Sequence, residues 1–265
     1  MQRPFRMMSA VLAAGVIFFL PLDAGKADCR EPTVKILEEM RQIEFTRISY
    51  DEEAYPYYGY IKGSIPLLIS APHGAKHFRT AEGAWKEEDA YTSSLAIVLG
   101  RLTGAHVLFV KNKTGEDPNN DAGTNYKEAL EKAVKENRIK FVLDLHGSAA
   151  RRPFKIDVGI MHISRSLCSC PTYRDIMEKI FAGFEPRIFN QRFSAGGEGT
   201  ITCFARNSLG IEAAQIEINA NYRIVESKST GFKADPRNIL DLAERLRSLI
   251  MAINEKITED GAKSG

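Results

Sequence analysis

Several things are missing from this chain of 265 residues, and each absence removes a class of function. Positive charge is not in excess: 36 Lys and Arg stand against 34 Asp and Glu, a net charge of +2. The basic stripe that marks a nucleic-acid binder is therefore missing. Beyond Leu22 no apolar run approaches the roughly 20 residues that a membrane-spanning helix needs. No internal repeat or low-complexity tract occurs, so a repeat array is out. The Gly-x-Ser-x-Gly elbow of serine hydrolases is absent. Gly147-Ser148 has no base at a suitable distance in the sequence. The glycine-rich stretch from Ala195 to Thr200 matches neither of the usual phosphate-binding patterns.

What is present begins with a leader pattern. Arg3 and Arg6 precede an apolar run from Val11 to Leu22, and small residues follow at Ala24, Gly25 and Ala27. Basic, apolar and small segments in that order predict a secretory signal peptide over 1–27. The remainder, 28–265, is then an exported protein, periplasmic or secreted, with no membrane attachment after cleavage. Its length suits one α/β domain, and 44% apolar residues in the whole chain supply a core. Cys29, Cys168, Cys170 and Cys203 all fall in that mature part. In an oxidising compartment an even number predicts two disulfides. Cys168 and Cys170 flank a single serine, an awkward span for a mutual bridge, so each is expected to pair with Cys29 or Cys203.

Apolar periodicity organises the rest. Val34, Ile36, Leu37, Met40 and Ile43 predict a helix over 32–47, and the tyrosine-rich stretch 55–60 reads as a hairpin arm ending at Gly63. Short continuous apolar runs at 65–70, 106–110, 141–145, 158–161 and 213–218 predict buried strands. Helical patterns lie at 90–102, 126–137, 173–184 and 236–257, with a shorter one at 202–207 and a frayed polar tail from Thr258. Strands buried on both faces and alternating with helices imply an α/β fold with a mostly parallel sheet.

In such sheets ligands sit beyond the carboxyl ends of the strands. Those ends read Ala71-Pro72-His73-Gly74, Asp144-Leu145-His146-Gly147 and Glu217-Ile218-Asn219. Two histidines at equivalent strand ends are natural zinc ligands, since a catalytic zinc takes three protein ligands of nitrogen and oxygen type. The third ligand is open at this level. Asp89, or failing that Glu88, is a candidate, although an acid just before a helix also serves as an N-cap. His77 would make a His-x-x-x-His pair, but Gly74 after a strand argues against the continuous helix that such a pair needs. His106 and His162 read as packing or surface residues. Asp144 points to the same side of its strand as His146 and can fix the tautomer of a ligand imidazole. Glu217, between Ile216 and Ile218, is a carboxylate in an apolar strand and the best candidate for a general base.

Taken in order, these motifs resemble the N-formylglutamate amidohydrolase family, related in fold to the zinc carboxypeptidases. The matching pieces are Ser70 to Gly74, Asp89 ahead of Leu95-Ala96, and Asp117-Pro118-Asn119. Asp144 to Gly147, Gly196-Gly197 and Gln215 to Asn219 complete the set, which spans roughly Ile65 to Arg223. The resemblance implies a three-layer α/β/α fold, phosphorylase/hydrolase-like, with a mixed sheet. It implies one zinc ion held by His73, Asp89 and His146, with Glu217 as catalytic base. Where the family carries arginines that grip substrate carboxylates, this chain has Lys113 and Asn120, and Arg79, Arg192, Arg206 and Arg223 are alternative cations. Substrate contacts are expected from Lys113, Asn119, Gly197, Arg206, Asn219 and Arg223. The function expected is hydrolysis of an amide bond in a small or peptide-like carboxylate substrate by a metal-activated water. Rival readings are an exported metallo-carboxypeptidase, a cell-wall amidase, and a binding protein that keeps the fold without turnover.

Overall fold

Apolar runs and amphipathic segments alternate along the chain, and the computed structural model turns them into strands and helices. It describes residues 31–161 and 171–263. The expected signal segment, Cys29, Cys168, Cys170 and His162 lie outside the described residues. Helix α1 (Glu31–Arg47) leads into β1 (Tyr58–Ile61) and β2 (Leu67–Ala71). A small hairpin, β3 (His77–Arg79) with β4 (Ala84–Lys86), precedes α2 (Thr92–Thr103) and β5 (His106–Val110). Next come α3 (Asn125–Asn137), β6 (Phe141–Ser148), β7 (Ile156–Gly159), α4 (Pro171–Ile180) and β8 (Arg187–Phe189). The order ends with α5 (Ile201–Asn207), β9 (Glu212–Asn219) and α6 (Pro236–Lys263).

Seven strands form one sheet in the order β1-β5-β2-β6-β9-β7-β8. Its centre, β5-β2-β6-β9, is parallel. β1 runs antiparallel to β5, and β7 is antiparallel to β9 while parallel to β8. Side chains alternate across the sheet with the two-residue period of a strand. Leu67 and Ile69 of β2 join a core with Met40 of α1, Leu95 of α2, Met177 of α4 and Leu242 of α6. Leu68 faces the other way, against Tyr126 and Leu130 of α3 and Ile201 of α5. Helices thus cover both faces, and the architecture is three-layer α/β/α with a mostly parallel mixed sheet.

Three expectations need correction. The tyrosine-rich arm is no hairpin: β1 is an edge strand whose partner is β5, with Tyr58 opposite Val110. The tail from Thr258 is helical as far as Lys263, because α6 continues with the Thr258 hydroxyl on the Asn254 carbonyl and Lys256 paired with Asp260 one turn on. Cys203 is a free thiol among the described residues, against the disulfide expected of it, and its expected partners lie outside them. It lies buried in α5, and its sulfur accepts from Asn207 Nδ2 at 3.1 Å.

Candidate metal centre and its pocket

From β2 the chain crosses to β5 on one side and then returns past β2 to β6 on the other, so the sheet order reverses between β2 and β6. Crevices form at such a switch point, beyond the carboxyl ends of the strands. His73 stands just past β2. His146 lies within the last turn of pleat of β6, directly opposite Glu217 of β9, and Asp144 lies opposite Gln215. Asp89 reaches the same place from the segment ahead of α2, where its backbone N–H donates to the His73 carbonyl at 2.8 Å.

Both imidazoles use one nitrogen to anchor themselves and turn the other toward Asp89. His73 Nε2 is 2.8 Å from Asp117 Oδ1, and His146 Nε2 is 2.9 Å from Asp144 Oδ2. The two Nδ1 atoms each stand 3.5 Å from Asp89 Oδ2. The carboxylate–imidazole pairs fix each ring with its proton on Nε2, which leaves the Nδ1 lone pairs facing inward. Donor atoms of His73, Asp89 and His146 all lie within 4.8 Å of one another. Two imidazole nitrogens and a carboxylate oxygen at that spacing suit zinc, which accepts this donor set in catalytic sites. The N-cap alternative for Asp89 does not hold, because α2 starts at Thr92 and no side chain caps it.

Asp117 is more deeply built in than its sequence context indicated. It is fully buried, and besides His73 it accepts from Arg79 Nε at 2.7 Å and from the backbone N–H groups of Asn119 and Asn120. Burial works to raise its pKa, but His73 and Arg79 outweigh burial and hold the carboxyl below its usual range. The same contest raises the pKa of His73: burial opposes protonation, and Asp117 and Asp89 prevail. His77 lies parallel to the His73 ring, centroids 3.9 Å apart, with Nε2 3.8 Å from Asp117 Oδ2. It packs behind the His73 ring and is not part of the group around Asp89. Glu217 is 6% exposed, and burial pushes its carboxyl up to about 7 against the pull of His146. Gln215 donates to Glu217 Oε1 at 3.2 Å, a contact that the two-residue strand period could have foretold.

A pocket of about 400 Å³ opens over this group. His73, Asp89, His146 and Glu217 form its floor, and Arg79, Asn119, Asn120, Arg192 and the Ser194–Gly197 loop form its walls. Asn119 and Gly197 both line this pocket. Other expected contacts are elsewhere. Lys113 stacks over the Trp85 ring at 4.1 Å and pairs with Glu53. Arg206 donates to the Ile160 carbonyl and pairs with Glu212. Asn219 spends its amide on the carbonyls of the 149–154 loop and its oxygen on Asn221 N–H. Glu88 is outside the donor group: its carboxyl is largely enclosed, with Oε2 unpartnered among the described residues. Arg223 is buried beneath Gly147 rather than exposed to the pocket.

The class is thus a three-layer α/β/α fold with a His–Asp–His donor group at the carboxyl edge of its sheet. In particular it is the fold of N-formylglutamate amidohydrolase. The crystal structure of that enzyme from Ralstonia eutropha JMP134 superposes with a TM-score of 0.53 and 16% identity, covering 77% of this chain and 98% of that one. A gene product from Agrobacterium tumefaciens gives a TM-score of 0.51 and 13% identity over 76% of this chain and 96% of its own. No family sequence model matches the chain, and no curated protein matches it. The likeness is one of fold, and it agrees with the family resemblance carried by the motifs.

Proposed function

We propose that the chain is a zinc-dependent amidohydrolase, a single catalytic domain over 28–265 exported behind the 1–27 leader. The observation that carries this reading is the convergence of His73 Nδ1, His146 Nδ1 and Asp89 Oδ2 next to a buried, strand-mounted Glu217. Those three residues would hold the ion, with Asp117 and Asp144 orienting the imidazoles. Bound there, zinc supplies Lewis acidity, which polarises a carbonyl and makes water acidic enough to ionise near neutral pH. Glu217 moves the proton, taking it from the hydrolytic water and returning it to the nitrogen of the departing amine. Water is thereby added across the C–N bond to give an acid and an amine. Arg192 on the pocket wall offers positive charge to a carboxylate, whereas Arg79 beside it is engaged by Asp117 and Glu82, and this supports a small N-acyl amino acid or a peptide-like acid as substrate.

Metal analysis and a substrate panel test this. The purified protein should carry about one zinc per chain. His73→Ala should lose it. Glu217→Gln should keep zinc and lose roughly 10²–10⁴-fold in kcat. N-acyl amino acids, peptides with a free C-terminus and muropeptide fragments offered side by side separate acyl-amino-acid hydrolysis from carboxypeptidase and cell-wall amidase activity. Undiminished amide hydrolysis by metal-free protein would overturn the reading.

A further inference from the structure

Arg223 was expected at the substrate, yet it is 5% exposed and faces inward. It follows a short 3₁₀ turn, Ala220–Tyr222, at the end of β9, which carries its side chain back under the sheet edge. Each of its hydrogen bonds ends on a backbone carbonyl: Nε on Ile218 at 3.1 Å, Nη1 on Ala90, and Nη2 on Ser148 at 3.4 Å. These carbonyls belong to three segments far apart in the sequence. Ile218 follows Glu217, Ala90 follows Asp89, and Ser148 lies two residues beyond His146.

Space for the guanidinium exists because residue 147 has no side chain. A Cβ at Gly147 would lie 2.5 Å from the guanidinium carbon, inside any real contact distance. The segment it grips beside α2 is under conformational tension. Tyr91 has a left-handed backbone, φ 68°, which a bulky side chain disfavours and which persists only where its surroundings hold it. Arg223 takes the carbonyl just before that residue, and fully buried Glu44 accepts the Tyr91 N–H at 2.9 Å. A buried cation normally needs a carboxylate at contact distance. Here the negative charges that act on Arg223 most strongly are Asp89 and Glu217, the groups whose segments it ties.

We propose that Arg223 is a positioning residue whose guanidinium fork fixes the mutual placement of the Asp89, His146 and Glu217 segments, and so sets how tightly the centre holds its metal. The inference rests on the zinc-hydrolase reading. A lysine would retain the charge but not the planar fork that bridges three acceptors.

The test is zinc affinity of the full chain, stripped of metal and titrated against a chromophoric chelator, with circular dichroism to report folding. Arg223→Met and Gly147→Ala should each weaken zinc binding by about 10–100-fold, the size expected for groups that orient ligands. Arg223→Lys should recover little of that loss. An arginine with a merely structural role would lower the melting temperature and leave the zinc constant of the folded protein unchanged. If Arg223→Met does not fold, Gly147→Ala decides, since it keeps the arginine and displaces only the guanidinium. Folded variants within twofold of the parent affinity would overturn the inference while the zinc site stands. An unsubstituted chain that binds no zinc would remove the hydrolase reading, and this inference with it.

Discussion

His106, expected as a packing or surface histidine, is a buried packing residue at the start of β5. It is 3% exposed, and its Nδ1 lies 2.6 Å from the Tyr60 hydroxyl, which ties β5 to edge strand β1. Burial, with Lys62 adding to it, lowers its pKa below the ordinary value of about 6.5. The unfolded chain therefore takes up the proton first as pH falls. The folded state is undiminished above about 6.5 and loses stability below it, down toward the folded pKa. Urea melts of the parent and of His106→Gln at pH 8, 6 and 5 should show less acid destabilisation in the variant. Equal losses in both would rule this source out. At the same scale, His73 and His146 were visible in the sequence because each ends an apolar run. The orienting role of Asp117 was not, because it depends on a loop folding back across 44 positions to reach His73. Lys113, Arg206 and Asn219 carry the right chemistry for substrate contact, but nothing in a one-dimensional pattern shows that Trp85, Glu212 and the 149–154 carbonyls engage them first.

Elements were legible in proportion to how completely they are buried. β2, β5 and β6 have every residue of their apolar stretch enclosed, so their sequences read as unbroken runs. β3, β4 and β8 are three residues each and mostly half-buried, too short to establish a period. The pairing of β1 with β5 is set by tertiary contact, which local alternation cannot encode. Loop packing at the pocket gives a test at this scale. Gly199 sits where a Cβ would be 1.9 Å from the Asn120 carbonyl oxygen, a backbone atom that has no rotamer in which to retreat. Gly199→Ala must therefore part the 194–200 loop from the 117–121 turn, and both wall the pocket. Overpacking of this kind costs about 1–3 kcal/mol. The variant should show that loss in urea melts together with a several-fold rise in KM. Parent-like stability and KM would mean that the two loops tolerate separation.

At the scale of the molecule, the donor group draws on β2, β6 and the approach to α2, which meet only in the finished sheet. An ion that binds the folded chain and not the unfolded one stabilises it by mass action. Zinc at 100 times its dissociation constant should add about 2.7 kcal/mol. The melting temperature should rise with zinc and fall when a chelator removes it, and a midpoint independent of zinc would count against the site. The fold class was readable from the alternation of runs. The reversal of sheet order between β2 and β6, which creates the crevice, was not, because strand neighbours depend on which crossover goes to which side.

The anchoring of both imidazoles through their far nitrogens has a consequence for mimicry. Each ring presents to the pocket the atom nearer its own backbone. An asparagine amide reaches about as far as Nδ1, whereas a glutamine amide reaches about as far as Nε2 and would meet the aspartate behind. At positions 73 and 146 the shorter amide should therefore preserve more zinc affinity than the longer one.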